Sequence, residues 1–343
     1  MELPVFWKST LEDIDRELSL VQKGSVSESR SAGGRPIYTL IYGQTNQFCR
    51  TANYSSAAGA RDMNCYADKT QPHIRPCLFL VGGIHGGEPE GIMAILNLIR
   101  LLETGTDLAG NPQRELTALA ETVNFVLIPC ANPDGRARVP FESVANMPFG
   151  EFRYYDQGTW EDGSLCNWPD CKKVHPMRGY GHLGGYFNDD GINIMHDDFF
   201  DPMSEATKLI LDISKENAPE VTGDLHGAAD KGYGMYATGY ASNYDRDAVR
   251  AFEQVVGKEL EKNNFHFEET LCFSDGESFN LEAAIHAASG ALAFTWESYQ
   301  GVVGEDGKMP SETVHKDILD AHFVFFKELF KLAIERFEHT GKN

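Results

Sequence analysis

Apolar residues in this chain fall into short continuous runs and helical stripes that succeed one another along its length. Leu78-Phe79-Leu80-Val81 is unbroken and ends in Gly82-Gly83, the pattern of a buried parallel strand meeting a tight turn. Helical spacing follows from Ile92 to Leu102. Val123 to Pro129, Glu220 to Leu225 and Leu292 to Trp296 read as further buried strands, and Gly232 to Tyr236 as another. Ile37 to Tyr42 alternates after the breaker Gly33-Gly34-Arg35-Pro36 and fits a sheet-edge hairpin. Helices are expected from Leu11 to about Gln22 behind a Ser9-Thr10 cap, over Ser204 to Ser214, over Asp245 to Asn263, and from about Ser311 to Phe337. In the last of these Phe323, Phe326, Leu329, Phe330, Leu332 and Ile334 crowd one side, which marks a core face. Residues 44–76 carry no period and read as an irregular insertion, and 150–200 as a long functional loop rich in Gly, aromatic and acidic residues.

Strands interleaved with helices predict an α/β fold, here three layers, α/β/α, around a mixed twisted sheet. No linker or internal repeat divides the chain, so one domain over 1–343 is expected.

The candidate chemistry sits at the ends of those strands. His85 and Glu88 follow the first apolar run on one short turn, at the strand edge where open α/β sheets bind ligands. His226 closes the second run and completes a His₂Glu set, the donor type of hydrolytic zinc sites with an open position. Glu297 closes a third run and is placed to act as general base. Each motif alone is commonplace; their joint placement on three strand ends is the argument. The turn former Asn132-Pro133-Asp134-Gly135 follows a fourth strand, with Arg136 and Arg138 directly behind it.

Together, Gly82-Gly83-Ile84-His85-Gly86-Gly87-Glu88, Asn132-Pro133-Asp134-Gly135, Asp224-Leu225-His226 and Thr295-Trp296-Glu297 resemble the zinc carboxypeptidases of the M14, carboxypeptidase A-like, family over about residues 35 to 335. The resemblance implies a zinc exopeptidase fold with one Zn²⁺ per chain, held by His85, Glu88 and His226, and Glu297 as base. It gives Asn132 and its turn a substrate-binding role, and makes Arg136, Arg138 and Arg153 candidates for stabilising the oxyanion, because the family's usual arginine position holds Met147 here. The chain departs from the family where an Asn-Arg pair clamps the substrate carboxylate. Met195-His196 stand in its place, after Asn193 where the family has Asp, which points to atypical recognition with His196 as a substitute donor or a structural histidine. No tyrosine stands in the loop Phe273 to Phe279, where the family often has a catalytic one. Peptides are the leading substrates. The alternatives are an N-acyl amino acid deacylase of the aspartoacylase and succinylglutamate desuccinylase group, and a zinc-binding protein without catalysis, which would have no need of Glu297.

Composition narrows the partners. A formal charge of −21 repels phosphate backbones and anionic lipid, so nucleic acid and membrane are not expected. No apolar run approaches bilayer length and the start lacks a signal pattern, so a cytoplasmic protein is expected, although a secreted chain with its signal removed would read the same. Seven cysteines form no Cys-x-x-Cys pair; Cys77 and Cys130 read as packed thiols, and Cys166 and Cys171 as a pair able to bridge in an oxidising compartment. Nothing in the sequence speaks to oligomeric state.

Overall fold

The computed structural model describes residues 2–340 apart from 45, 47, 49–51, 230–231, 269–278, 305–306 and 308. Nine strands are described: β1 (Ser25–Arg30), β2 (Pro36–Tyr42), β3 (Cys77–Gly82), β4 (Asn124–Ile128), β5 (Gly158–Trp160), β6 (Tyr180–Leu183), β7 (Val221–Gly227), β8 (Gly234–Ala237) and β9 (Leu292–Ser298). The helices are α1 (Leu11–Leu18), α2 (Tyr54–Ala60), α3 (Pro89–Thr104), α4 (Arg114–Ala120), α5 (Pro133–Arg138), α6 (Phe149–Asp156), α7 (Glu205–Asn217), α8 (Asn243–Lys262), α9 (Leu281–Ser289) and α10 (Val314–Thr340).

Seven strands make one sheet in the order β1-β2-β4-β3-β7-β9-β8, and β5 pairs with β6 in a separate ribbon. β4, β3, β7 and β9 run parallel, while β1, β2 and β8 are antiparallel to their neighbours. The mixed sheet follows from burial. β3 is apolar on both faces, with Leu78, Phe79, Leu80 and Val81 all at 0% exposure, as a central parallel strand must be. Leu78 and Leu80 pack into one core with α1, α3, α4, α8 and α10. Phe79 and Val81 pack into the other, with α7 and α9. Burying one such side chain contributes about 1.5–3 kcal/mol, so the alternation on β3 ties both helical layers to the sheet.

β3 leads through α3 to β4 on one side, whereas β7 lies on its other side. The crevice beyond the carboxyl ends of β3 and β7 is therefore a topological switch point, the place where open α/β sheets bind ligands. Glycine makes the turn there possible. Gly83 has φ +57°, and a side chain at that position would be strained as well as crowded by Cys130 and Ile92.

Several expectations change. α1 stops at Leu18, short of Gln22, and the chain turns into the edge strand β1, which pairs with β2 as the expected hairpin. Residues 44–76 hold α2, capped by the Asn53 side chain on Ser56 N, and a 3₁₀ turn Met63–Tyr66. Tyr66 donates to Ala287 O at 2.8 Å and Lys69 pairs with Glu220, so this insertion is fastened to the main body. The 150–200 stretch contains α6 and the β5–β6 ribbon, short elements whose periods are too brief to register in the sequence. Cys166 and Cys171 are both free and buried in a small cluster with Met177, Leu183 and Phe187. Cys77 and Cys130 are buried free thiols whose pKa values are raised by burial. Cys49, Cys272 and the loop residues Phe273 to Ser278 lie outside the described residues. Among the described residues no helix is long and apolar enough to cross a membrane.

Candidate metal centre

His85 and Glu88 lie in the turn between β3 and α3, with Glu88 at the helix N-cap and Pro89 at its first position. His226 is the penultimate residue of β7, and pairs in register with Glu297 on β9. One donor atom from each of His85, Glu88 and His226 falls within 4.8 Å of the others, and all three side chains are buried. Nδ1 of His85 is 2.8 Å from Oε1 of Glu88, and Nδ1 of His226 is 2.9 Å from its Oε2. Gly227 N also donates to Oε2, at 3.1 Å. Two imidazoles and a carboxylate converging on one point are the donor set of a tetrahedral zinc site with an open position, so these residues fit that ion.

Electrostatics set the protonation of the metal-free cluster. Burial pushes the Glu88 carboxyl up, but the two imidazoles outweigh it and hold its pKa below the usual range. Burial likewise pulls His226 down, and Glu88 outweighs it, so that imidazole titrates above the ordinary value. At His85 burial prevails and the pKa is lowered. A metal entering here must displace a proton, so its affinity rises with pH.

The surroundings are built to hold this turn. Gly86 N donates to Gly185 O at 2.8 Å, and Gly86 O accepts from Nη1 of Arg136 at 3.2 Å. A Cβ on Gly86 would lie inside the Gly135–Arg136 peptide. Gly86→Ala is therefore expected to shift the His85–Glu88 turn, lowering both zinc affinity and melting temperature, with a stability cost of at least about 1–3 kcal/mol. Calorimetric zinc titration and thermal unfolding of the purified variant check this. The Tyr186 ring stacks flat on His85, with centroids 3.7 Å apart and planes 4° from parallel, which fixes the imidazole's orientation. Asn193 borders the same ring and caps its own 3₁₀ turn at Met195 N.

Other residues singled out by sequence are placed differently. The Asn-Pro-Asp-Gly segment is no free turn: Asn132 caps α5 by accepting from Gly135 N at 2.9 Å, and its Nδ2 donates to Gly185 O at 3.0 Å. Asp134 accepts from Ser31, Gly33 and Arg35, tying α5 to the β1–β2 turn. Arg136, 4% exposed, donates to the carbonyls of Ser9, Gly86 and Phe141. Arg138 donates to Asp189 and to the carbonyls of Gly184 and Phe187. Asn132, Arg136 and Arg138 are thus engaged with backbone groups around α5. Arg153 stands 4.6 Å from the Phe149 ring centroid and bonds Gln157 Oε1 at 3.0 Å. His196 ends the 3₁₀ turn Ile194–His196, near enough to His85 and His226 to feel their charge. Burial, then the neighbouring Lys172 charge, pushes its pKa down to about 3, so it is a neutral imidazole at physiological pH and not a cationic partner. Glu297 is half-buried, and its carboxylate helps raise the pKa of His226.

The structure adds carboxyls that sequence reasoning passed over. Asp156, 1% exposed, packs against Gly87 with Oδ1 lacking any hydrogen-bond partner, and burial followed by the Glu88 charge raises its pKa well above normal. Asp224 shares the His226 face of β7, and Glu282 on α9 accepts from Thr295 on β9. Burial raises both of their pKa values. Asp224 was visible in sequence as part of Asp224-Leu225-His226; Asp156 and Glu282 stand in helices with no motif around them.

The family model described as zinc carboxypeptidase, Peptidase M14, matches residues 15–300. No curated protein matches the chain. Among solved structures, the fold is similar to a metallo-carboxypeptidase from Burkholderia cenocepacia, at TM-score 0.56 and 16% identity over 96% of this chain and 69% of that one. A carboxypeptidase A from Helicoverpa armigera gives TM-score 0.56 and 15% identity over 98% and 76%. A Pseudomonas aeruginosa metallo-carboxypeptidase, in complex with (2-guanidinoethylmercapto)succinic acid, gives 0.56 and 15% over 94% and 68%. With the switch-point site and a family match over most of its length, the chain belongs to the zinc carboxypeptidase family, Peptidase M14, and is a metallocarboxypeptidase-like hydrolase.

Proposed function

We propose that the protein is a zinc-dependent peptidase, a single catalytic domain that hydrolyses an amide bond near a free substrate terminus and recognises that terminus atypically. The observation that carries this reading is the convergence of His85, Glu88 and His226 at the β3–β7 switch point with Glu297 in register beside His226. Zinc held by the three side chains supplies Lewis acidity at the open face of the site. Glu297 takes the proton of the attacking water and returns it to the leaving amine, since it is the carboxylate on the same strand-end row that is not one of the three donors. Tyr186 and Asn193 hold His85 in its orientation, and the neutral His196 offers the substrate a hydrogen bond.

Met195 and His196 stand in place of a bidentate arginine clamp, which supports atypical recognition of the terminus; an N-acyl amino acid deacylase is the second reading. One zinc per chain is expected on metal analysis of the purified protein. A peptide library assayed beside N-acyl amino acids separates the two activities; protein that takes up no zinc, or that holds zinc and turns over neither class, defeats the proposal.

A further inference from the structure

The residues of the metal centre come from the ends of three elements. His85 and Glu88 lie in the turn that opens α3, His226 near the end of β7, and Glu297 beside it near the end of β9. The geometry of such a site depends on what holds its ligands as much as on the ligands themselves. Gln300 lies just beyond Glu297, is 0% exposed, and bonds to both of the other elements.

Its side-chain amide is used at both ends. Nε2 donates to Oε2 of Glu90, in the first turn of α3, at 2.8 Å. Oε1 accepts from Ala229 N at 2.7 Å, and the Gln300 backbone N donates to Ala229 O at 3.2 Å. With Ala228 N donating to Ser298 O at 2.8 Å, these bonds carry the β7–β9 pairing past His226 and Glu297 into the loop beyond. Ala229 has φ +56°, in the left-handed region that an alanine seldom enters, so the two bonds to Gln300 hold it in a conformation it would otherwise leave. Gly227 leaves the room for this: a Cβ there would lie 2.3 Å from Gln300 Cδ. Glu90 is 0% exposed and its Oε1 has no hydrogen-bond partner among the described residues, so the buried carboxyl group depends on the bond from Gln300.

We propose that Gln300 is a positioning residue of the metal centre: its amide clasps the loop after His226 to the start of α3 beside Glu88, and so sets the spacing of the three zinc donors and of Glu297 relative to them. The inference rests on the zinc-dependent reading above and adds to it a residue that acts through its neighbours. Glutamine suits the place because one planar amide offers a donor and an acceptor at a fixed separation, which neither a carboxylate nor an apolar side chain does.

The test measures zinc affinity by calorimetric titration, and the visible spectrum of the Co²⁺-loaded protein, which reports ligand geometry. Gln300→Glu sets a second carboxyl group against Glu90 and removes the donor; it is expected to lower zinc affinity about 10- to 100-fold and to shift the Co²⁺ bands. Adding Glu90→Gln moves the amide to the other side of the same contact, so Glu90→Gln/Gln300→Glu should recover most of the affinity and the wild-type spectrum. Phe330→Leu, in the α10 core against Phe125, is expected to lower the melting temperature with zinc affinity and spectrum unchanged, the behaviour of a purely structural residue. Wild-type affinity and spectrum in Gln300→Glu, whatever its melting temperature, overturn the proposal, as does a double variant no better than the single one. Should Gln300→Glu not fold, Glu90→Met/Gln300→Met removes the buried carboxyl group together with its partner. Weakened zinc binding with a shifted spectrum in that variant upholds the proposal, and wild-type values overturn it. Wild-type protein that takes up no zinc defeats the zinc-dependent reading and this inference with it, whereas the variants bear on Gln300 alone.

Discussion

Glu297→Gln is expected to retain about one zinc per chain and to lose about 10²- to 10⁴-fold in turnover. Glutamine keeps the shape of the side chain, while its amide oxygen is too weak a base to take a proton from water. Glu297 is half-buried at the end of β9, outside both hydrophobic cores, so the melting temperature should hardly move. Metal analysis, thermal unfolding and kcat on the best peptide found in the library screen measure the three quantities together. Wild-type turnover in this variant would assign the base elsewhere; Glu277, the alternative in sequence, lies outside the described residues.

His226→Ala is expected to abolish stable zinc binding, and turnover with it, because two donors do not hold zinc against solvent as three do. The far-UV spectrum should persist, since the seven-stranded sheet and its two cores are built from other side chains. Stability of the metal-free protein should nevertheless fall, by roughly 3–5 kcal/mol, because Glu88 stays buried with one of its two imidazole partners gone. Comparing metal-free wild type and variant by denaturant unfolding isolates this term. A variant that still binds zinc with wild-type affinity would remove His226 from the ligand set.

Much of this was legible because it is local. An unbroken apolar run ending in two glycines reads as a buried strand meeting a turn, and β3 is that strand. Strands β4, β7, β8 and β9 and helices α3, α7 and α10 lie where apolar spacing put them, and α8 where alternating charges did, within a few residues at their ends. Short elements escaped. α2, α6, β5 and β6 are three to eight residues long, too brief for a period to show; the Asn53 side chain caps α2, and Tyr155 O of α6 accepts from Gly185 N.

The sequence by itself determined the α/β class and the strand ends bearing His85, Glu88, His226 and Glu297, since each is a matter of residue type at a given place in a local pattern. Only the tertiary structure decided what the remaining charges do. Arg136 and Arg138 follow the Asn-Pro-Asp-Gly motif as closely as any binding residue would, yet they hold carbonyls from Ser9 and Phe187, segments far away in sequence. Asp156, with no motif around it, comes to the metal centre because Gly87 packs against it there. A charged side chain's partner is chosen by folding, from residues at any separation, and so its role is a property of the packed molecule.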